Sequence, residues 1–260
     1  MKIVIDTVAR VLTTFDGAAE RTQGLYTKEA FEVISREWVR VGWSLRYYHT
    51  FSWFGHPILQ LPEDLVRVQE VIWRVRPDVI VETGIFRGGS LMFYASLCEA
   101  LSRGRVIGID IEIEPSVREA IAAHPLAGRV TVFEGDSASP EMFERVRKRI
   151  APGESVLVLL DSCHSKEHVA RELRLWSPLV TPGSWLVATD GIMRDLSDVP
   201  GGQPEWPTDN PLAAVAEFAA VHPEFVQEQP PWLFRDGELT ENVTYWPGAW
   251  LRRLPDAAAA

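Results

Sequence analysis

Cysteine is almost absent from this sequence, with only Cys98 and Cys163 among 260 residues. Both lie inside segments that read as packed secondary structure, so the sequence offers neither a disulfide framework nor a cysteine-based zinc site. Such sparse cysteine is typical of a reducing compartment. We therefore expect the protein to be cytoplasmic.

Basic residues are also few. Lys and Arg together number 26 against 36 Asp and Glu, which gives a formal net charge of -10 and an isoelectric point near 5.2. A surface of that sign repels phosphate backbones. We therefore expect no nucleic-acid partner.

Long uncharged runs are missing as well. No stretch reaches the ~18 uncharged residues that suggest a membrane helix. Asp6 and Arg10 interrupt the first apolar run before a signal-peptide core is complete. We expect no membrane partner and no export signal. The alanine-rich tail after Pro255 and Asp256 has no packing pattern and takes no part in the fold prediction.

What the sequence does have is a globular composition, with 46% hydrophobic and 24% charged residues over 260 positions. That length suits one large domain with a buried core. Residues 1–75 carry apolar side chains at helical spacing and no strand-like alternation. The clearest examples are Phe31, Ile34, Trp38, Val41 and Leu45. We predict an N-terminal helical region over residues 1–75.

From Pro77 onward, short β-branched runs alternate with amphipathic stretches. The predicted strands are DVIVETG (78–84), RVIGID (105–110), RVTVFEGD (129–136), SVLVLLDS (155–162) and SWLVATDG (184–191). The predicted helices cover residues 89–103, 115–123, 139–150, 165–180 and 210–221. This alternation predicts an α/β fold with a doubly wound, mostly parallel sheet. The runs at 225–229 and 249–254 are predicted to finish the sheet as an antiparallel pair at its edge.

The segment at residues 198–211 is dense in proline and glycine. It follows a strand end that carries acidic residues. Two interpretations stay open for it, a plain surface connection and a lid over an active site.

Acidic residues end the predicted strands one after another. They are Glu82, Asp110, Asp136, Asp161 and Asp190. In an open α/β sheet the ligand binds beyond the carboxyl ends of the strands, so this row predicts a binding site. Helix capping is the alternative explanation for Asp110 and Asp136.

The glycines after the first strand bear on the kind of cofactor. From Gly84 to Gly89 they follow the pattern G-x-x-x-G-G, so the dinucleotide fingerprint G-x-G-x-x-G fails. The carboxylates would repel a pyrophosphate, whereas they would stabilise the ammonium and sulfonium groups of S-adenosylmethionine. The sequence therefore favours the methyl donor as cofactor.

Each strand end is assigned a part of that donor. Glu82 and the Gly84 turn are predicted to hold the methionine end and Asp110 the ribose hydroxyls, while Asp136 and Ser137 border the adenine. The predicted cofactor-binding residues are, in full, Glu82, Gly84, Gly88, Ser90, Asp110, Asp136, Ser137 and Asp161.

A metal site is predicted at two neighbouring strand ends. Asp161 and Asp190 would converge on one hard cation, and Mg²⁺ is usually bound by one or two carboxylates plus water and substrate oxygens. Such a cation lowers the pKa of a substrate hydroxyl, and His164 would take the proton as general base. We predict His164 and Asp161 as the catalytic residues. His168, one turn into the next helix, is the other histidine considered for this role.

Tryptophan is abundant, with 10 among the 260 residues. Trp232 and Trp246 lie outside the strands, where such side chains either pack in the interior or stack on a substrate ring. Glu241 and Asn242 are close by and would bond substrate hydroxyls. The predicted substrate-binding residues are Trp232, Glu241 and Asn242.

Three further tryptophans lie in the N-terminal region, namely Trp38, Trp43 and Trp53. Helical regions rich in this residue pack against another subunit or cover an active site. We expect a homo-oligomer, with the number of subunits open.

Taken in order, the segments VETGIFRGGSL, VIGIDI, FEGDS, LLDSCHS and VATDGI resemble the cephalosporin-hydroxylase-like family of methyltransferases. The resemblance spans about residues 50–253. That family has the class I methyltransferase fold and binds S-adenosylmethionine and often Mg²⁺. The resemblance implies a methyltransferase domain over residues 76–256.

The tail ENVTYWPGAWLRR and the loop DGIMRDLSDVP are most similar to rhamnosyl O-methyltransferases of antibiotic pathways such as that of calicheamicin. This similarity implies a small-molecule acceptor, a sugar or a nucleotide sugar with rhamnose as the expected sugar.

The resemblance also assigns roles to residues. In the family, an Asp at the fourth strand end and a Glu-Asp pair at the fifth bind the metal, and a His three residues after the first Asp is the base. These positions correspond to Asp161, Asp190 and His164. Here the pair reads Thr189-Asp190, so one carboxylate is missing and the need for a metal stays open.

Two other functions remain as alternatives. An oxidoreductase would suit the family's name, but the dinucleotide fingerprint and a two-His-one-carboxylate set are lacking. A non-catalytic partner of a biosynthetic enzyme would have no need of His164 beside Asp161.

Overall fold

The computed structural model describes residues 1–255, and its first element is a three-stranded antiparallel sheet. The strands β1 (Lys2–Asp6), β2 (Val11–Asp16) and β3 (Ala19–Gly24) pair in that order. The prediction of a helical region over all of residues 1–75 is therefore wrong for this part. Among these strand residues only Leu12 is buried. Because neither face of this sheet is buried, the strands lack the alternation of apolar and polar residues that identifies a half-buried strand.

The turn between β2 and β3 holds the signal that was missed. Asp16 and Ala19 pair across a two-residue loop whose first residue, Gly17, has a φ of 58°. Glycine at that position is typical of the tight turns that join β-hairpin strands, because it adopts a positive φ at little cost. A glycine at the first position of a two-residue loop, here Gly17-Ala18, thus predicts a hairpin.

Helices do form the remainder of the N-terminal region. Helix α1 (Lys28–Ser44) is followed by the short paired strands β4 (Ser52–Trp53) and β5 (His56–Pro57) and by helix α2 (Pro62–Val75). The predicted stripe from Phe31 to Leu45 lies on the exposed side of α1. The homo-oligomer expected from this region stays a prediction.

The central sheet has seven strands. They are β6 (Val79–Thr83), β7 (Arg105–Asp110), β8 (Val130–Glu134), β9 (Val156–Leu160), β10 (Trp185–Ala188), β11 (Phe225–Gln227) and β12 (Trp250–Arg253). Their order across the sheet is β11-β12-β10-β9-β6-β7-β8. The five strands from β6 to β10 pair in parallel, while β12 is antiparallel to both of its neighbours. The doubly wound sheet and its antiparallel edge pair are confirmed.

Five helices connect or flank these strands, each within or close to a predicted range. They are α3 (Gly89–Ala100), α4 (Pro115–Ala123), α5 (Pro140–Arg147), α6 (Lys166–Trp176) and α7 (Pro211–Val221). Among the described residues, no helix combines the length and the apolar character needed to cross a membrane.

Successive residues of each central strand face two separate cores. In β6, Ile80 packs with α2, α3 and α4, whereas Val79 and Val81 pack with α5, α6 and α7. Both faces of the strand are buried, which explains its unbroken apolar run. Helix α2 shares a core with the sheet, so what ends at residue 75 is a helix. A domain boundary at residue 75 stays a prediction. The predicted end at Asp256 and the alanine tail lie outside the described residues.

The strand order places the ligand site. The chain leaves β6 toward β7 on one side and returns to β9 on the other, so a crevice forms at the carboxyl ends of these central strands. Gly84 follows β6 with a φ of 82°, and a Cβ there would lie 1.9 Å from the carbonyl oxygen of Asp161. Only glycine permits this close approach of the two strand ends.

A buried carboxyl group ties α2 to the C-terminal part of the chain. Asp64 accepts hydrogen bonds from the Thr244 hydroxyl and, at 2.9 Å, from the backbone N–H of Tyr245. Its side chain is almost inaccessible, and this burial raises its pKa from 3.8 to about 7.

Asp64 makes stability depend on pH. Its pKa is raised in the folded state, so the folded protein holds a proton that the unfolded chain has lost, and this contribution disappears as pH rises through about 7. We expect the free energy of unfolding to change with pH less steeply in Asp64→Asn than in the wild type, by about 1 kcal/mol per pH unit between pH 5 and 7.

Urea unfolding at several pH values measures the difference between the two proteins. The exposed Asp236 provides the control, because Asp236→Asn removes a carboxyl that is not buried. Equal slopes for the wild type and Asp64→Asn would contradict the assignment.

Candidate active site

A cleft of about 650 Å³ opens at the carboxyl ends of the parallel strands. Most of the predicted site residues lie on its walls. They are Gly84, Asp110, Asp136, Ser137, Asp161, His164 and Asp190. Because the sheet order is β8, β7, β6, β9, β10, the residues that follow these strands form a row in the same order.

Asp161, His164 and Asp190 come together at one end of that row. One ligand atom from each lies within 4.8 Å of the other two, and His164 Nε2 is 3.3 Å from Asp190 Oδ2. Asp190 has a φ of 56°, in the left-handed region that non-glycine residues rarely adopt. Such strained backbone clusters at functional sites.

Two neutral donors hold the Asp161 carboxylate. The Gln60 amide donates to Oδ2 at 3.2 Å, and the Thr189 hydroxyl lies against Oδ1. Burial and the nearby Asp190 carboxylate raise the pKa of Asp161 above its usual range. Burial likewise raises the pKa of Asp190, although the His164 ring opposes it. Gln60, which lies just before α2, was missed by sequence reasoning because no motif marks it.

The middle of the cleft is shaped by Asp110. Its Oδ2 accepts hydrogen bonds from the backbone N–H groups of Ile85 and Phe86, both at 2.9 Å. This fixes the turn after β6, in which Phe86 has a φ of 44°. Asp110 therefore fixes a turn and does not cap a helix, so the capping alternative is wrong for this residue, and Asp110 also faces the cleft.

Asp136 and Ser137 form the far end of the row. Asp136 Oδ1 accepts from the backbone N–H of Ala138 at 2.8 Å, so it too makes a local turn contact. Ser137 is buried, with its carbonyl bonded to Trp176 Nε1 at 3.0 Å. His168 lines the same end of the cleft.

Three predicted cofactor residues lie behind the cleft wall or beside it. Glu82 is fully buried and accepts from the Ser90 hydroxyl at 2.7 Å, and burial together with Asp161 raises its pKa well above the usual range. Gly88 is the N-cap of α3. Ser90 reaches a recess of about 40 Å³ beside the cleft, which Gln60 and Asp161 also line.

The structure does not bring the predicted substrate residues to this cleft. Trp232, Glu241 and Asn242 line a separate groove of about 550 Å³ against α2. There the Trp232 ring N–H donates to Asn242 at 2.7 Å, and the Arg67 guanidinium lies over the ring. These partners explain the residues as local packing. Trp246 is buried in the core.

Other aromatic residues line the cleft, where Trp232 had been predicted to lie. Trp43 and Tyr48, from α1 and the turn after it, line the cleft with Trp206 of the proline-rich segment. The rings of Trp43 and Trp206 meet edge to face, 5.3 Å apart. The sequence left open that Trp43 covers an active site or packs against another subunit, but it did not predict that Trp43 and Trp206 meet, because no local pattern connects them.

The proline-rich segment is fastened to α1. Arg40 forms an ion pair with Asp198 at 2.8 Å, and the Ser44 hydroxyl donates to the carbonyl of Pro200 at 3.1 Å. With Trp206 on its wall, residues 198–211 form one side of the cleft and are more than a surface connection. Whether they move as a lid stays a prediction.

The chain matches a described family. Residues 45–254 fit the family "Rhamnosyl O-methyltransferase/CmcI". The rhamnosyl O-methyltransferase of Mycobacterium leprae is 29% identical over 153 residues, which cover 56% of this chain and 63% of that protein. The one from Mycobacterium tuberculosis H37Rv is 30% identical over 168 residues, covering 61% of this chain and 66% of the relative. The match thus spans a little under two thirds of these relatives' length.

Solved structures share the fold. CmcI matches with a TM-score of 0.53 at 18% identity, over 80% of this chain and 78% of the other. The MycE methyltransferase of the mycinamycin pathway matches with a TM-score of 0.50 at 19% identity, over 95% of this chain and 69% of the other. These likenesses confirm the class I methyltransferase fold. Because the family match covers most of the chain, the protein belongs to the rhamnosyl O-methyltransferase/CmcI family.

Proposed function

We propose that the protein is an S-adenosylmethionine-dependent O-methyltransferase that acts on a sugar hydroxyl in natural-product biosynthesis, with rhamnose as the expected sugar. The observation that carries this proposal is the convergence of Asp161, His164 and Asp190 in one cleft. The names of the family and of the mycobacterial relatives support the reaction and the sugar.

The donor end of the cleft suits a cationic ligand. Gln60 Oε1 is a buried acceptor without a hydrogen-bond partner among residues 1–255, whereas Glu82 has the Ser90 and Tyr94 hydroxyls beside it. Gln60 lines the small recess beside Ser90, and Glu82 lies behind it. An ammonium group in this recess would supply a donor for Gln60 Oε1 close to the Glu82 carboxyl, so we place the methionine end of the donor there.

The same cleft fits Mg²⁺ by the chemistry of its donors. Asp161 and Asp190 offer two carboxylates, the number that Mg²⁺ commonly takes from a protein. A bound Mg²⁺ would lower the pKa of an acceptor hydroxyl. Complexes of CmcI with Mg and S-adenosylmethionine, and of MycE with Mg and S-adenosylhomocysteine, support this metal.

His164 acts as the base. Its ring faces the Asp190 carboxylate at 3.3 Å, which orients the imidazole and stabilises the cation formed when it takes a proton. The acceptor oxygen then attacks the donor methyl directly as the bond to sulfur breaks. The products are a methyl ether, S-adenosylhomocysteine and the proton held on His164. Catalysis depends on holding the two reactants in line, and no covalent intermediate with the protein forms.

The acceptor binds on the side of Trp43, Tyr48 and Trp206. All three line the cleft, and Tyr48 lies close enough to Asp190 that burial and this carboxylate together raise the pKa of the tyrosine hydroxyl. Aromatic faces cover the apolar side of a sugar ring while the carboxylate end meets its hydroxyls. A cytoplasmic location and a homo-oligomeric state stay predictions.

Transfer of labelled methyl to a panel of acceptors tests the function. We expect transfer from S-adenosylmethionine to dTDP-rhamnose or another nucleotide sugar and none to simple catechols. Failure with all acceptors, or tight binding of NADPH, would favour the oxidoreductase alternative or that of a non-catalytic partner.

Removing the base separates chemistry from binding. We expect His164→Ala to lower turnover by about 10²- to 10⁴-fold, because general base catalysis contributes on that scale. Affinity for S-adenosylhomocysteine, measured by calorimetry, should stay within about threefold of wild type, because His164 acts on the acceptor hydroxyl and not on the donor. A tenfold loss of affinity would correspond to about 1.4 kcal/mol. His222→Ala is the control, because His222 pairs with Glu224 away from the cleft. Loss of donor binding in His164→Ala would give His164 a structural role.

Metal dependence is tested at Asp161. EDTA should abolish methyl transfer and added Mg²⁺ should restore it, whereas residual transfer by Asp161→Asn should not respond to Mg²⁺. Asp195→Asn serves as the control, because Asp195 pairs with Arg194 on the surface and should leave the response unchanged. If EDTA does not affect methyl transfer by the wild type, the metal has no part in the mechanism. The protein would still be a methyltransferase.

The aromatic wall is tested at Trp206. We expect Trp206→Ala to raise the KM for the acceptor roughly tenfold, because stacked aromatic contacts are worth about 0.5–1.5 kcal/mol beyond the area they bury. Donor affinity should not change. Trp73→Ala is the matched control, since Trp73 is exposed on α2 and lies against Arg76. An acceptor KM that is equal in Trp206→Ala and Trp73→Ala would place the acceptor elsewhere.

A further inference from the structure

The first turn of α2 carries a buried carboxyl group that the proposed mechanism does not use. Its two oxygens, those of Asp64, accept from the Thr244 hydroxyl and from the backbone N–H of Tyr245. A buried carboxyl is costly unless its hydrogen bonds are satisfied, and here both oxygens bond to one short segment of the chain. Asp64 thus fixes residues 244–247 to α2.

The Thr244 hydroxyl extends this hold to the next residue but one. It donates to Asp64 and accepts from the backbone N–H of Trp246 at 2.8 Å. A hydroxyl can take both roles at once, because it has one proton to donate and lone pairs that accept. The backbone of Trp246 is thereby held in place relative to α2.

Residues 244–247 also lie directly against the turn that follows β10. The backbone N–H of Ile192 donates to the carbonyl of Tyr245 at 3.0 Å. A Cβ on Gly191 would lie 2.4 Å from the carbonyl oxygen of Pro247, so only glycine lets the two backbones come this close. The position of residues 244–247 therefore sets the position of this turn.

The Trp246 side chain completes the connection from α2 to the cleft. It is buried, and its ring N–H donates to the Asp190 carboxylate. His164 Nε2 lies 3.3 Å from the same carboxylate. An ionised carboxylate has about four lone-pair sites, so these two contacts leave room for a cation. The indole N–H therefore orients Asp190 without blocking it.

The same end of α2 also contacts the other carboxylate of the proposed metal site. Gln60, two residues before α2 begins, donates to Asp161 at 3.2 Å. Asp161 follows β9 and Asp190 follows β10, which is the neighbouring strand. One helix end thus fixes both carboxylates, the first directly and the second through residues 244–247.

We infer that Trp246 is a positioning residue for the metal site and that Asp64 acts with it through Thr244. The indole N–H holds the Asp190 carboxylate in a fixed orientation before a cation binds. Donors that orient a metal-binding side chain typically contribute about 10- to 100-fold in metal affinity or activity. This inference rests on the proposed function, because it takes Asp190 to be a metal ligand.

Calorimetry with Mg²⁺ on the full chain tests this role in Trp246→Phe, which keeps an aromatic ring in the core but removes the N–H. We expect the Kd for Mg²⁺ to rise by about 10- to 100-fold, because Asp190 is no longer held. The kcat of methyl transfer should fall on the same scale. The KM for S-adenosylmethionine should not change, because the substitution acts at Asp190 and not at the donor end.

Trp250→Phe is the matched control. Trp250 on β12 is buried in the same core, with its ring centre 6.4 Å from that of Trp246. This variant should bind Mg²⁺ as the wild type does. Equal rises in Kd for Trp246→Phe and Trp250→Phe would show that only core packing matters. That result, or a Kd in Trp246→Phe that is unchanged or lower, would overturn the inference.

The part played by Asp64 is tested at Thr244. Thr244→Val keeps the shape of the side chain but removes the hydroxyl, and it should raise the Kd for Mg²⁺ by about tenfold. Thr244→Ser should restore the wild-type value, because it keeps the hydroxyl. Thr240→Val is the control, since Thr240 is exposed four residues earlier. A Kd that is equal in Thr244→Val and Thr240→Val would overturn the role of Asp64.

The behaviour of the wild type separates this inference from the proposed function. If the wild type binds no Mg²⁺, the metal site fails and the inference fails with it. If the wild type binds Mg²⁺ but transfers methyl to no acceptor, the proposed reaction fails, and the Mg²⁺ titrations still decide the role of Trp246.

Discussion

Repulsion between carboxyl groups is the constraint on which the rest of the site depends. A doubly wound sheet brings the ends of its parallel strands to one edge, and here Glu82 lies at the end of β6 while Asp161 and Asp190 follow the neighbouring strands β9 and β10. Each of these groups has its pKa raised by burial, and for Glu82 and Asp161 a neighbouring carboxylate adds to the effect. The structure answers with a donor at each one, and these donors are Ser90, Gln60, Thr189 and His164. Hydrogen-bond acceptors still outnumber donors around these carboxyl groups, and this excess favours a cationic ligand.

Much of this was predictable because the sheet is regular. Central strands that are buried on both faces are apolar throughout, so runs such as Val156–Leu160 can be recognised as strands in the sequence. The residues that follow these parallel strands must then lie at one edge of the sheet. The N-terminal hairpins were not predictable in that way. Their side chains are mostly exposed on both faces, so the alternation that marks a strand is absent, and only the glycine of the Gly17-Ala18 loop indicates a hairpin.

The aromatic wall of the cleft was predicted only in part, for a different reason. Trp232 and Asn242 stand near the last strand in the sequence, but the loop that carries them runs along α2, where each satisfies the other. Trp43 and Trp206 stand 163 positions apart and meet only because Arg40 and Ser44 fasten the proline-rich segment to α1. Contacts between irregular segments have no period, so a single sequence does not reveal them.

Thr189 shows how the same constraint bears on the metal. The family resemblance expects a carboxylate at this position, which would add another charge next to Asp161. A threonine adds none, and its hydroxyl lies against Asp161 Oδ1 while Gln60 donates to Oδ2. Any cation must therefore share both oxygens of Asp161 with neutral donors, and Asp190 likewise faces two partners, the His164 ring and the Trp246 ring N–H. With one carboxylate fewer than the family resemblance expects, this site would hold a divalent cation more weakly than one with three carboxylates.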